Sequence, residues 1–224
     1  MNVAFLKELN DRLRAFNIDY LLKYLHYGLT SSDIIDTAMS LQIRHSIDYI
    51  FHLLNELTYE INHKIYLTQN LKAIGRTHGK HAEEITYDLR FKLFLNELIS
   101  AKQELWAAKR SLFGKLNGPV GTSSFVEKSV AEATLKTFNL EPINCSSQII
   151  PRHYYIKPMY ALLMLALAYE RFCTQIRLSA IDEINEVQEG FSQKQTGSSA
   201  MPHKKNPIIS ENICGLTRVV KSNF

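Results

Sequence analysis

Apolar residues recur at alternating steps of four and three along three stretches of the chain. The first carries Ile43, Ile47, Ile50, Leu54, Leu57 and Ile61. The second carries Tyr87, Phe91, Phe94, Leu98, Ala101, Leu105, Ala108 and Leu112, and the third Leu162, Ala166, Tyr169, Cys173, Ile176 and Ala180. Side chains at this spacing return to one face of a helix, so each stretch reads as the seam of a long helix in a bundle. Neither glycine nor proline falls between Gly28 and Gly75, between Gly79 and Gly114, or between Pro158 and Gly190. Three breaker-free stretches predict three long helices, roughly antiparallel, and an all-α fold. Helices of about 30 to 45 residues would be about 45 to 70 Å long. Leu93, Leu95, Leu163, Leu165 and Leu167 lie beside the seams and widen the apolar face. Faces this wide call for more than one neighbour, which predicts association with further copies of the chain.

Composition narrows the class. The 224 residues are 46% hydrophobic, enough for a sizeable core, and 21% charged without a long run of one sign, which excludes a disordered chain. The net charge of +4 suits an anionic small molecule and is too weak and dispersed for nucleic acid. Cys145, Cys173 and Cys214 stand far apart, with no Cys/His spacing that would hold zinc. They read as free thiols of a reducing, cytoplasmic protein. Residues 1–25 lack the apolar core of a signal peptide, and no run of about 18 apolar residues predicts a membrane span.

The polar chemistry sits in the connections. His26-Tyr-Gly-Leu-Thr30-Ser31-Ser32-Asp33 precedes the first long helix. It reads either as a helix cap or as an anion site built from hydroxyls and free backbone N–H groups. Gly75-Arg76-Thr77-His78-Gly79 reads as a tight connection between two long helices with His78 projecting from it. Histidine there is either a solvated loop residue or an acid–base group. Residues 189–207 run from a small, polar half into Met201-Pro202-His203-Lys204-Lys205-Asn206-Pro207. Two prolines frame an imidazole, two ammonium groups and an amide, which reads as a rigid binding segment or as a solvated basic loop.

Gly197-Ser198-Ser199-Ala-Met-Pro-His203-Lys204-Lys-Asn206-Pro207 resembles the signature Gly-Ser-Ser-x-Met-Pro-x-Lys-x-Asn-Pro of the fumarase/aspartase superfamily. The His203-Lys204 pair, the segment from His26 to Ala38 and the Gly75–His78 loop resemble its adenylosuccinate lyase family more narrowly. Leu116-Asn-Gly-Pro-Val-Gly-Thr122 falls between them, so the resemblance covers essentially the whole chain. It implies a long antiparallel helical bundle in a homotetramer, β-elimination of fumarate, and neither metal nor organic cofactor. The substrates it implies are succinyl-AMP and the succinylcarboxamide ribotide of purine biosynthesis.

The resemblance also assigns roles. His78 matches the general acid that protonates the departing amine. Ser198 matches the base that takes the Cβ proton, with Ser199 beside it. Lys204 and Asn206 match groups that hold the succinyl carboxylates, and Glu211 matches a carboxylate that pairs with catalytic histidines. His26, Thr30, Ser31, Thr77 and Gln148 match substrate contacts. Fixed cations and amides would stabilise the dianionic intermediate most as its charge develops.

The chain departs from the family pattern in two respects. It is about half the usual subunit length, so residues 1–27 read as the remnant of an N-terminal region. Residues 28–224 read as the central bundle domain, with the C-terminal domain missing. After Arg152 the family's usual Asp-Arg-His run is replaced by His153-Tyr154-Tyr155. Two other readings are an inactive helical-bundle remnant that only oligomerises, and another fumarate-releasing lyase of the superfamily.

Overall fold

The computed structural model describes residues 2–191, 200, 201 and 203–224. Six α-helices carry the fold: α1 (Asn2–Ala15), α2 (Ser31–Thr68), α3 (Asp88–Arg110), α4 (Lys128–Thr137), α5 (Ile156–Ser179) and α6 (Ile208–Asn223). A hairpin of β1 (Lys72–Thr77) and β2 (Lys80–Thr86) separates α2 from α3. The chain divides into two compact units, Met1–Asp48 with Lys109–Tyr155, and Tyr49–Ala108 with Ile156–Phe224.

In the first unit, Leu112, Leu135 and Leu140 form a buried cluster against Leu41, Ile43 and Leu116. Two-residue strands β3 (Phe113–Gly114) and β4 (Glu141–Pro142) pair in parallel beside it. Gly114 is required there, because a Cβ atom would stand 2.1 Å from Leu135 Cδ2 of α4. The seam of α2 enters this unit with Ile47, 2% exposed.

The second unit is the long-helix bundle. Phe51 meets Trp106 edge-on at 6.1 Å, and Lys102 donates to Asn55 at 2.8 Å, so α2 and α3 run antiparallel. Phe94 of α3 stacks flat on Phe172 of α5 at 4.1 Å, and Arg171 pairs with Glu97 at 2.5 Å. Cys214 meets the Thr174 hydroxyl at 3.7 Å while Thr217, one turn on, donates to the Ala166 carbonyl at 3.3 Å, which sets α6 antiparallel to α5. Leu54 and Ile61 of α2 and Phe94, Leu98, Ala101, Leu105 and Ala108 of α3 are buried, as their seams predict. Each large apolar side chain so buried contributes about 1.5–3 kcal/mol. The all-α antiparallel bundle expected from the periodicity is the architecture found.

Three details differ from the sequence expectation. The connection around His78 is a β-hairpin, and residues 80–86 are a strand rather than the start of α3. The buried line of α5 is Ala161, Leu165, Ala168 and Cys173, displaced from the predicted Leu162–Ala166–Tyr169 line. The displacement follows from two neighbours, because Tyr169 and Phe172 face α3 while Ala166 and Glu170 meet α6. Finally, α5 stops at Ser179 without a glycine or proline. Asn185 adopts φ 48°, and the N–H groups of Glu186 and Val187 both donate to the Ser179 carbonyl.

Cys145 is exposed, whereas Cys173 and Cys214 are buried. Burial, reinforced by the neighbouring Cys214, pushes the Cys173 thiol up to about 11. Thiolate is the reactive form, so at pH 8 the native chain is expected to take up one equivalent of iodoacetamide, at Cys145, and three once denatured. Rapid modification of Cys173 in the native protein, read by peptide mass spectrometry, would contradict this burial.

Candidate active site

Two groups of polar side chains occupy the connections singled out in the sequence, one in each unit. In the first unit, the chain enters α2 through a turn in which His26 has φ 61°. Asp33 reaches back to accept the Thr30 N–H at 2.7 Å, while its own N–H donates to the Thr30 carbonyl at 3.1 Å. Asp33 thus supplies the half of a capping box in which the third helical residue accepts the N-cap N–H, in keeping with the cap reading of this segment. Asp33 Oδ1 also accepts from the Lys115 ammonium at 2.7 Å and from the Asn117 and Gly118 N–H groups at 3.1 and 3.3 Å. Lys115 and Asp33 are both fully buried.

One turn on, buried Asp36 accepts from the Ile150 N–H at 2.7 Å and from Arg152 at 2.8 Å. Its hydrogen bond and charge raise the pKa of Arg152. The segment so anchored presents Gln148, whose amide reaches Thr30 Oγ1 at 3.5 Å. Thr30 and Gln148 are thus brought together, with Ser31 next in the chain. The residues that replace the family's usual run serve this anchor. Arg152 lies over the Tyr155 ring at 5.7 Å, and Tyr154 packs edge-on against Phe113 at 5.1 Å. Burial raises the pKa of the Tyr155 phenol.

In the second unit, His78 and Gly79 form the two-residue turn of the hairpin, with φ 53° and 76°. Two successive left-handed residues give the turn whose twist matches its flanking strands. Thr77 pairs with Lys80 across it, and Thr77 and His78 are both exposed. Behind the tip, Arg76 pairs with Glu186 at 2.6 Å, and Glu186 also holds Arg90 at 3.0 Å.

An open cavity of about 1030 Å³ in the same unit is lined by His203, Lys204, Lys205, Asn206 and Glu211, together with Glu189 and Arg177. The predicted Lys204, Asn206 and Glu211 therefore share one cavity, and His78 is not among its lining residues. Glu189 accepts from the N–H groups of Ile209 and Ser210 at 3.1 and 2.8 Å and from the Ser210 hydroxyl at 2.5 Å. It caps α6 from outside the helix and fixes the segment that leads into it. Glu211, in the first turn of α6, also complements the helix dipole. Ser198 and Ser199 lie outside the described residues. Among the described residues, no group of three or more His, Cys, Asp or Glu side chains is placed to hold a metal, and no helix is long and apolar enough to cross a membrane.

The sequence marks Asp33 and Asp36 only as acidic residues at a helix N-terminus, and it gives Lys115, Glu186 and Glu189 no role. The Thr30-x-x-Asp33 spacing is a legible signal for Asp33 as a capping partner. Nothing local marks Lys115 or Glu186, whose partners lie 82 and 110 residues away in the chain.

Comparison with known proteins adds to this geometry. A sequence-family model described as "Lyase" matches residues 6–221. The chain belongs to this lyase family. Among its lyase relatives is the adenylosuccinate lyase of Aquifex aeolicus (strain VF5), 41% identical over 202 residues, covering 90% of this chain and 46% of that protein. The adenylosuccinate lyase of Synechocystis is 36% identical over 222 residues, covering 99% of this chain and 50% of that protein. A solved structure, the 3-carboxy-cis,cis-muconate lactonizing enzyme of Pseudomonas putida, superposes with a TM-score of 0.81 at 26% identity, covering 97% of this chain and 49% of that one. The chain spans about half the length of the curated lyases it matches.

Proposed function

We propose that the whole protein is a cytoplasmic adenylosuccinate lyase that acts as a homotetramer. It eliminates fumarate from succinyl-AMP, giving AMP, and from the succinylcarboxamide ribotide of purine biosynthesis. The reading rests on one observation above the others: curated adenylosuccinate lyases align along nearly all of this chain at 36% identity and above. His78 at the hairpin tip supports it over a cycloisomerase reading, because the related cycloisomerases tend to lack that histidine.

The proposed chemistry follows from the residue types. Ser198, with Ser199 beside it, removes the Cβ proton. Lys204 and Asn206 meet the carboxylates, where negative charge grows as the aci-carboxylate forms, and preorganised donors act most strongly at that stage. His78 gives its proton to the departing exocyclic amine. Glu211 sits beside Lys204 and Asn206 on the cavity wall and would orient or charge-balance the donors. Thr30, Ser31 and Gln148, with His26 and Thr77, would contact the substrate's polar groups. Self-association is supported by the exposed apolar residues of the bundle helices, among them Leu53, Leu93, Ile99, Trp106 and Leu167.

Fumarate release followed by ultraviolet absorbance tests the reading. The whole protein is expected to release fumarate from succinyl-AMP and none from argininosuccinate. Release from argininosuccinate alone would replace it with a different superfamily lyase.

A further inference from the structure

We propose that Glu186 is a positioning residue for His78, holding the hairpin in the placement from which the histidine delivers its proton. The inference rests on the reading of His78 as the general acid.

A two-stranded ribbon has little stability of its own, because each strand has only one partner. The β1–β2 hairpin pairs with no other strand among the described residues, and Lys80–Glu84 of β2 are exposed. Its register also shifts between Ile74 and Arg76, a bulge that bends the ribbon close to its tip. The direction in which His78 points therefore depends on what grips the ribbon below the bulge and beside the tip.

Glu186 supplies both grips. Its carboxylate takes Arg76 at 2.6 Å, two residues before His78, and Arg90 at 3.0 Å, in the first turn of α3. Arg90 in turn donates to the Ile74 carbonyl at 3.3 Å, on the other side of the bulge, and to Ser179 Oγ at 2.9 Å. Its guanidinium also covers the Tyr87 ring at 4.8 Å. Glu186 itself is held from behind, since its N–H donates to the Ser179 carbonyl at 2.9 Å at the end of α5. The acid is thus fixed to the end of a long helix, and two arginines converge on it, Arg76 from beside the hairpin tip and Arg90 from the first turn of α3. The Arg90 side chain is only 9% exposed, and those of Arg76 and Glu186 about one fifth, so solvent screens the pairs weakly. An ion pair of this kind adds little net stability over apolar packing, but it fixes direction and distance. Proton transfer needs such fixation, because a displacement of about 1 Å can cost about 10²-fold in rate.

The test compares Glu186→Gln, which keeps the shape and removes the charge, with the parent whole protein, alone and in a His78→Gln background. The expected result for Glu186→Gln is a kcat lower by about 10- to 100-fold, with KM within about threefold. In the His78→Gln background the same substitution should cost less than about threefold, because its effect passes through the histidine. Should Glu186→Gln fail to fold, Arg76→Gln, which leaves Glu186 paired with Arg90, is expected to reproduce the same kcat loss and the same dependence on His78. Unchanged kcat in the folded variant, or a loss as large without His78 as with it, would overturn the proposal. Full turnover by His78→Gln would instead overturn the general-acid reading beneath it.

Discussion

Asp33→Asn is expected to destabilise the chain by about 3–5 kcal/mol, because it leaves the Lys115 ammonium buried without a counter-charge. Asp33 and Lys115 are both fully buried, and the ammonium also donates to the Gly118 carbonyl at 2.7 Å. An asparagine would retain an acceptor toward the Thr30 N–H yet turn a donor toward a cation or toward the Asn117 and Gly118 N–H groups. At this chain length such a loss lowers the melting temperature by about 10 °C. Lys115→Met should be milder, since the Asp33 carboxylate would keep three backbone N–H donors, those of Thr30, Asn117 and Gly118. Adding Lys115→Met to Asp33→Asn should recover part of the stability, because the unpaired buried cation is then gone. Thermal unfolding followed by circular dichroism measures all three, and an Asp33→Asn midpoint within about 2 °C of the parent would contradict the pairing.

The same ion pair marks where legibility in the sequence ends. The seams of α2 and α3 are readable because each helix buries one stripe: Phe94 to Ala108 map directly onto buried positions, and in α2 Ile47, Leu54 and Ile61 are buried with Ile50 and Leu57 half-buried between them. The seam of α5 was misplaced by about one residue because that helix is covered on two sides, and a single stripe no longer describes its burial. The hairpin was missed for a different reason. Breaker counting treats glycine as an end signal, and residues 80–86 contain none, so the stretch read as helix. The better signal was His78-Gly79 itself, a pair suited to two left-handed residues in succession, followed by the β-branched Ile85 and Thr86.

The candidate site divides in the same way. Lys204, Asn206 and Glu211 are close in the chain and share a cavity wall; the proline frame singles out Lys204 and Asn206, and only the family resemblance singles out Glu211. Thr30 and Gln148 are 118 residues apart, and their approach depends on Asp36 anchoring Ile150 and Arg152, which no local pattern encodes. Nothing in the local sequence around Glu186 and Glu189 marks either acid for a role. Their roles exist only because the hairpin, α3 and α6 deliver Arg76, Arg90 and the α6 N-terminus to them.

The larger kinetic effect is expected at His78. Glutamine keeps the size and a hydrogen-bonding capacity but cannot cycle a proton near neutral pH. The amine must leave protonated, so the substitution removes an interaction made in the transition state rather than in the bound substrate. That distinguishes it from Lys204→Met, which should damage both KM and kcat because carboxylates are present before and during the reaction. The His78 side chain is exposed at the hairpin tip, so a loss of rate at this position with an unchanged melting temperature reads as chemistry. The most direct measurement is therefore steady-state fumarate release from succinyl-AMP by the whole protein and its His78→Gln variant, with melting temperatures taken in parallel. The expected result is a kcat lower by about 10² to 10⁴ with KM and melting temperature nearly unchanged. Turnover by His78→Gln within about threefold of the parent would contradict the assignment of the proton donor.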